Sequence, residues 1–144
     1  MFRKMLIATD GSDLSTHAAL RAVPLAKLAG ASIAAVYVQD VYPFTGIGES
    51  NPAGFQPYMA AARAEGMRAV EKVAAAAKTE GISIETSVVE DHQTARGIVE
   101  AAQKSGCDLI AMASHGRGGL ARLVLGSVAA KVISLSTVPV LIIK

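Results

Sequence analysis

Aromatic residues and cysteine are scarce in this chain, and each shortage excludes a class of protein. Hydrophobic residues make up 51% of the 144 positions, yet only 4% are aromatic and none is tryptophan. The core must therefore be built mainly from Ala, Val, Leu and Ile. The single cysteine, Cys107, cannot form a disulfide within the chain, which argues against a disulfide scaffold and for the reducing cytoplasm. The length favours one domain over residues 1–144.

Dense basic clusters and long apolar runs are also missing. The formal net charge is +2, and no run of Lys and Arg is dense enough to follow a nucleic-acid backbone. The first apolar run is too short for a signal peptide, and no later stretch has the length needed to span a bilayer. We therefore expect neither nucleic acid nor a membrane as a partner.

What the chain does contain is a regular alternation of short apolar segments and segments with helical periodicity. The apolar segments predict strands at 5–9, 32–38, 82–89, 107–113 and 138–143. Helical spacing of small and aliphatic residues predicts helices within 13–30, 59–81, 95–106 and 123–136.

Two segments depart from this alternation. Pro24 lies inside the first predicted helix and is expected to kink it. Residues 39–57 hold three prolines and three glycines without apolar periodicity. We predict a flexible surface loop there.

Strands that are apolar on both faces and alternate with helices indicate an α/β fold. We predict a doubly wound five-stranded parallel sheet flanked by helices on both faces. Such sheets bind ligands at the carboxyl ends of the strands, where the direction of winding reverses. The relevant strand ends here are Thr9-Asp10, Val38 to Asp40 and Ala113 to His115.

Glycines cluster after the fourth predicted strand and again before the last helix. Gly116-Arg117-Gly118-Gly119 follows the strand, and Gly126-Ser127 opens the helix. Glycine allows close approach of the backbone to a ligand, and the free N–H groups at a helix start attract anions. From position 117 onward there is no Asp or Glu, and a local positive field is expected from Arg117, Arg122, Lys131 and Lys144.

Two known phosphate fingerprints fit poorly. The Walker pattern fails because no Lys precedes Ser127. The run from Gly116 to Ala121 matches a dinucleotide pattern, but it follows the fourth strand and no acidic residue lies downstream for a ribose. We interpret that match as accidental.

Taken together, these segments resemble the universal stress protein family. Its nucleotide-binding members carry Gly, two residues, Gly, nine residues, then Gly and Ser or Thr. Gly116, nine residues and Gly126-Ser127 fit this pattern, whereas Ala113 replaces the first glycine. The resemblance covers the whole chain through Ile7-Ala8-Thr9-Asp10-Gly11-Ser12, Tyr37-Val38 and Val138-Pro139-Val140.

The resemblance implies a Rossmann-like domain, of the adenine nucleotide alpha hydrolase type, that binds ATP with magnesium as a sensor or regulator in the stress response. Asp10 would face the ribose or a metal-linked phosphate, and the backbone of Val38 would meet adenine. Asp10 would also be the one metal ligand, through a nucleotide-bound magnesium ion. The expected nucleotide-binding residues are Ala8, Thr9, Asp10, Val38, Ala113, Ser114, His115, Gly116, Arg117, Gly118, Gly119, Gly126, Ser127 and Val128.

The last strand suggests a further partner. The strand, which begins at Val138 and ends at Ile143, is apolar and is expected at an edge of the sheet. Pairing with a two-fold copy would cover that edge, and the resemblance also implies homodimers. A regulator would in addition need a downstream protein partner, whose identity the sequence does not give.

Simpler roles stay open for several of these residues. Ser127 and Asp10 are both good helix caps, and Ser12 competes with Asp10 for that position. The methyl group of Ala113 would disturb a ligand only if φ were positive or the ligand pressed against Cβ. Ser114 and His115, adjacent on an extended chain, are expected to point to opposite faces, which favours loop positioning or phosphate contact over catalysis.

Other functions compete with ATP-dependent regulation. One is a dimeric interaction module that needs no nucleotide, and another is a slow ATPase or transferase. A third is a receiver domain, with acidic groups at the ends of the first and third strands, where Asp10 and Glu90-Asp91 lie. Asp91, His92 and His17 show no metal-ligand spacing and are expected to be solvated surface residues.

Overall fold

The structure is a computed structural model that describes residues 1–40, 52–117 and 124–144. Within these residues, strands and helices alternate along the whole chain. The strands are β1 (Lys4–Ala8), β2 (Ser32–Gln39), β3 (Ile84–Glu90), β4 (Leu109–Ala113) and β5 (Val140–Ile143). The helices are α1 (Asp13–Ala29), α2 (Pro52–Thr79), α3 (Thr94–Lys104) and α4 (Ser127–Leu135).

The strands form one sheet in the order β3-β2-β1-β4-β5, and every neighbouring pair is parallel. The chain first winds from β1 out to β3 and then returns to add β4 and β5 on the other side of β1. The direction of winding therefore reverses between β1 and β4. This confirms the predicted doubly wound parallel sheet and leaves β3 and β5 at its two edges.

Alternating side chains divide the core into two clusters, one on each face of the sheet. In β1, Met5 and Ile7 pack with α1 and α2, whereas Leu6 and Ala8 pack with α3 and α4. Successive side chains of a strand point to opposite faces, so both faces of β1 are buried. Alanine fills much of both clusters, which lets the helices lie close to the sheet.

Helix α1 shows how the turn after β1 is built. The Ser12 hydroxyl accepts a hydrogen bond from the N–H of Ser15 at 3.2 Å, so Ser12, and not Asp10, caps the helix. The helix continues through Pro24 to Ala29. It ends at Gly30, whose left-handed conformation, with φ of 66°, suits glycine.

The prediction of a loop over residues 39–57 is wrong at both of its ends. Gln39 is buried in β2, and α2 already begins at Pro52, where proline is tolerated because a first-turn N–H has no helical partner. Positions 56–58 are exposed, so the first turns of α2 show no apolar periodicity. Residues 41–51 lie outside the described residues.

Several other predicted boundaries extend too far into turns. Strands β3 and β4 start two residues later than predicted because the N–H groups of Ile82 and Cys107 bond back to the ends of α2 and α3. Apolar residues at such positions cover the last turn of a helix. Strand β5 starts at Val140 rather than at Val138, and α4 at Ser127 rather than at residue 123. No helix of the described chain is long and apolar enough to cross a membrane.

Candidate functional site

A cavity of about 560 Å³ opens at the carboxyl ends of β1, β2 and β4, beside the first turns of α3 and α4. At these strand ends, between β1 and β4, the direction of winding of the sheet reverses. Its volume falls within the ~300–1,000 Å³ that is usual for ligand pockets. Predicted site residues that line it are Ala8, Thr9, Asp10, Val38, Ala113, His115, Gly116, Arg117, Gly126, Ser127 and Val128.

The remaining predicted site residues are Ser114, Gly118 and Gly119. Ser114 is buried next to the cavity, with 3% of its surface exposed. Gly118 and Gly119 lie outside the described residues. Sequence reasoning missed Thr94 and Ile98, which line the cavity from the start of α3. Their spacing of four residues puts them on one helix face, but only the sheet order brings that face to β1.

Asp10 ties the turn after β1 to the glycine-rich segment after β4. One carboxylate oxygen, Oδ1, accepts from the N–H of Ser12 at 2.9 Å, and Oδ2 accepts from the N–H of Arg117 at 2.6 Å. A Cβ on Gly116 would stand 2.7 Å from Oδ2. A side chain at position 116 would therefore have to displace the Asp10 carboxylate, which glycine leaves in place.

Gly126 and Ser127 form the start of α4. The N–H of Gly126 donates to the carbonyl of Ser114 at 2.7 Å, and a Cβ at position 126 would lie 3.0 Å from that oxygen. Gly126 is the N-cap and supplies no side-chain cap, so the interpretation of Ser127 as the helix cap is wrong. The Ser127 hydroxyl is exposed and lines the cavity beside the free N–H groups of the first turn.

Ser114 and His115 do not point to opposite faces as predicted. Ser114 Oγ lies 2.9 Å from His115 Nδ1, because β4 ends at Ala113 and the chain bends immediately after it. The imidazole Nε2 is buried and has no hydrogen-bond partner among residues 1–40, 52–117 and 124–144. Ser114 is buried and is not among the residues that line the cavity, so its contact fixes the His115 ring from the protein side.

Arg117 is the one Arg or Lys among the described residues that line the cavity, where two acidic residues, Asp10 and Asp40, also lie. Its Nη2 donates to Glu65 Oε1 at 2.6 Å and to the Asp10 carbonyl at 2.9 Å. The hydrogen bond that Arg117 donates to Glu65 raises the pKa of Arg117. Burial, and then the charge of Glu65, raise the pKa of Tyr37, whose ring packs against α2.

Only part of the positive charge that was predicted from position 117 onward lies at the cavity. Lys131 and Lys144 do not line the cavity, because Lys131 lies on the exposed side of α4 and Lys144 follows the edge strand β5. Arg122 lies outside the described residues. Of the described Lys and Arg residues, Arg117 alone is among the residues that line the cavity.

Asp91 is not the solvated surface residue that was predicted. Its surface is 9% exposed, and its two carboxylate oxygens accept from Arg96 at 2.8 and 3.0 Å. The hydrogen bond from Arg96 holds the pKa of Asp91 below its usual value. Because β2 separates β3 from β1, the receiver-type pairing of Asp10 with Asp91 is excluded. The described residues contain no metal-binding group of three or more His, Cys, Asp or Glu.

Ala113 lines the cavity, and the first condition under which its methyl group would disturb a ligand, a positive φ, is absent. Its side chain packs in the cluster on the α1 and α2 face, whereas Met112 and Ala129, which also line the cavity, belong to the opposite cluster. The methyl group is thus directed mainly into the core.

Comparison with known proteins agrees with the fold. The model of the universal stress protein family matches residues 1–144. The chain is 40% identical over its full length to Universal stress protein MJ0531 of Methanocaldococcus jannaschii, covering 83% of that protein. The solved hypothetical protein MJ0577 aligns with a TM-score of 0.80 at 26% identity, covering 100% of this chain and 96% of that chain. A universal stress protein in complex with cAMP aligns with a TM-score of 0.68 at 26% identity, covering 99% and 96%. The chain belongs to the universal stress protein family.

Proposed function

We propose that the protein binds ATP with magnesium in this cavity and acts as a nucleotide-dependent sensor or regulator in the stress response. The observation that carries the proposal is the start of α4. There the Ser127 hydroxyl and free backbone N–H groups face the cavity across from Gly116, at the spacing that nucleotide-binding family members use. Helix starts of this kind favour phosphate through N–H donors and the helix dipole.

The open side of β2 supports an adenine site at Val38. Strand β1 ends at Ala8, so its pairing with β2 stops at Val36, whose carbonyl accepts from the N–H of Thr9. In a parallel strand the backbone groups of alternate residues point to the same side. The N–H and C=O of Val38 therefore point toward the cavity, where they offer one donor and one acceptor to an adenine edge. The relative in complex with cAMP supports an adenine nucleotide as the ligand class.

The charges of the cavity support magnesium as part of the ligand. The described lining carries the carboxylates of Asp10 and Asp40 against the single guanidinium of Arg117. A triphosphate adds several negative charges to this wall, and a divalent ion bound to the phosphates offsets them. In this proposal Asp10 contacts the magnesium ion or the ribose through lone pairs that its two amide hydrogen bonds leave available.

A homodimer through β5 and a cytoplasmic location complete the proposal. Strand β5 is an edge strand, and Leu25 of α1 lines a groove beside it with Ile142 and Ile143. Apolar surface next to unpaired backbone groups favours pairing with a second copy. The lone cysteine Cys107 means that the fold needs no oxidising compartment. As a regulator, the protein would also act on a downstream protein partner.

Purified protein provides the first test. We expect adenine nucleotide to be released on denaturation, and stripped protein to bind ATP with magnesium in isothermal titration calorimetry. Ser127→Ala should weaken binding roughly tenfold, because a hydrogen bond to a charged phosphate is lost. Gly126→Val should weaken binding strongly, since a Cβ at this position would lie 3.0 Å from the Ser114 carbonyl oxygen and would displace the backbone there. Ser32→Ala, at the amino-terminal end of β2 and away from the cavity, is the matched control and should leave binding unchanged.

The opposite result would favour the other family-level candidate. If well-folded wild-type protein carried no nucleotide and released no heat with ATP, the function would be that of a dimeric interaction module without nucleotide. Equal losses in Ser127→Ala and Ser32→Ala would argue that ATP binds elsewhere on the protein.

A further inference from the structure

The guanidinium of Arg117 connects two parts of the protein that are distant in sequence. Nη2 contacts Glu65 Oε1 on α2 and the carbonyl of Asp10 after β1. It passes over the turn at Gly11, where an added Cβ would lie 3.6 Å from Nη2. The one described cation in the cavity wall is thus held by a helix that contributes no residue of its own to that wall.

The ion pair between Arg117 and Glu65 is weak enough for another anion to replace the Glu65 carboxylate. The two side chains are 56% and 45% exposed, so water screens their attraction and the pair is weak. A phosphate group carries more charge than a carboxylate and binds a guanidinium in the same two-pronged geometry. Because Arg117 lines the cavity and Glu65 does not, a phosphate in the cavity competes with Glu65 at the guanidinium alone.

We propose that Glu65 is a specificity-determining residue that competes with the nucleotide phosphates for Arg117. This inference rests on the proposed binding of ATP in the cavity. In the empty site Glu65 neutralises Arg117, and a ligand gains the guanidinium only if its own negative charge displaces the carboxylate. The affinity for ligands with phosphate groups is therefore slightly lowered by the loss of the Arg117–Glu65 pair, whereas the affinity for a neutral nucleoside is not. When a phosphate binds, the contact between α2 and the segment after β4 is broken.

The test compares charge-removing variants at two positions of α2, with two ligands. Glu65→Gln removes the competitor, and Glu71→Gln removes the same charge from an exposed site whose nearest basic partner, Lys78, is 3.8 Å away. Calorimetry with ATP and magnesium should show about two- to fivefold tighter binding for Glu65→Gln, as expected for release of an exposed pair. Adenosine, which has no phosphate, should bind the wild type and both variants equally, and Glu71→Gln should match the wild type with ATP.

A second background tests the role of Arg117. In Arg117→Gln, ATP should bind more weakly than to the wild type, and adding Glu65→Gln should change nothing further, because no guanidinium remains to be released. This non-additivity is the signature of two groups that act on one another.

The direction in which Glu65→Gln changes the ATP affinity distinguishes competition by Glu65 from other roles of this residue. Weaker ATP binding in Glu65→Gln would mean that Glu65 orients Arg117 for the phosphate, which overturns the competition. Unchanged ATP binding, or an equal change with adenosine, would overturn it as well. Wild-type protein that bound neither ligand would overturn the proposed function itself, and the inference with it.

Discussion

Single side chains set how closely the segments around the cavity approach one another. Gly116 leaves room for the Asp10 carboxylate, and Gly126 leaves room for the Ser114 carbonyl. Neither glycine has a positive φ, so what favours glycine at both positions is the space beside it and not the backbone conformation. Ala113 differs from them, because its methyl group has a place in the core cluster.

At this scale we predict that Ala113→Gly leaves ATP binding within about twofold of the wild type and lowers the free energy of unfolding by roughly 1 kcal/mol. The loss in stability has two causes, the buried methyl group and the flexibility of glycine in a strand. Calorimetry and urea unfolding measure the two effects. Ala111→Gly is the matched control, in the same strand and cluster but away from the cavity. A large gain in ATP affinity confined to Ala113→Gly would show that the methyl group crowds the ligand.

Between elements, the junction from β3 to α3 depends on one buried carboxylate. Asp91 accepts from the N–H of Gln93 at 2.8 Å and from two nitrogen atoms of Arg96. These bonds hold the first turn of α3, whose residues Thr94 and Ile98 line the cavity. The charged form of Asp91 is thus part of what positions that wall.

For this junction we predict a pH-dependent stability. The pKa of Asp91 is lower in the folded protein than in the unfolded chain, so its contribution is present above the unfolded pKa and is lost as pH falls through the folded pKa. Asp91→Asn should reduce the free energy of unfolding by about 1 kcal/mol near pH 7, a modest value because Arg96 is partly exposed. Urea unfolding should show the difference shrinking below about pH 4.

The exposed Glu71→Gln serves as the reference for this experiment. It should stay within about 0.5 kcal/mol of the wild type at each pH, because exposed pairs contribute little. A constant difference between Asp91→Asn and the wild type from neutral to acidic pH would contradict the assignment of the effect to the Asp91 charge.

The whole molecule has two unlike edges. Strand β3 is largely exposed and polar, whereas β5 is apolar and follows α4 at the other edge. The carbonyls of Pro139 and Ile143 bond toward β4, so alternation directs the backbone groups of Val140 and Ile142 to the open side. An apolar strand with unpaired outward groups is a template for a second copy.

For the assembly we predict that Ile142→Pro converts a dimer into a monomer. Proline removes the outward N–H of residue 142, and an edge position tolerates it because that group has no hydrogen-bond partner among the described residues. Sedimentation analysis should give about twice the chain mass of 14.8 kDa for the wild type and the single mass for Ile142→Pro. Ile142→Val keeps the N–H and should stay dimeric. A monomeric wild type, or a dimeric and well-folded Ile142→Pro, would exclude pairing through β5.

The order of apolar segments and segments with helical periodicity was sufficient to predict a doubly wound sheet. The spacing of apolar residues depends only on the local backbone conformation, so it can be recognised in the sequence. The spacing of Gly116, Gly126 and Ser127 likewise indicated the carboxyl ends of the strands, where the cavity lies. Contacts between distant segments were decided only by packing. The sheet order separates Asp91 from Asp10 and brings Glu65 to Arg117, and no local pattern carries that information, since it depends on which faces the helices bury.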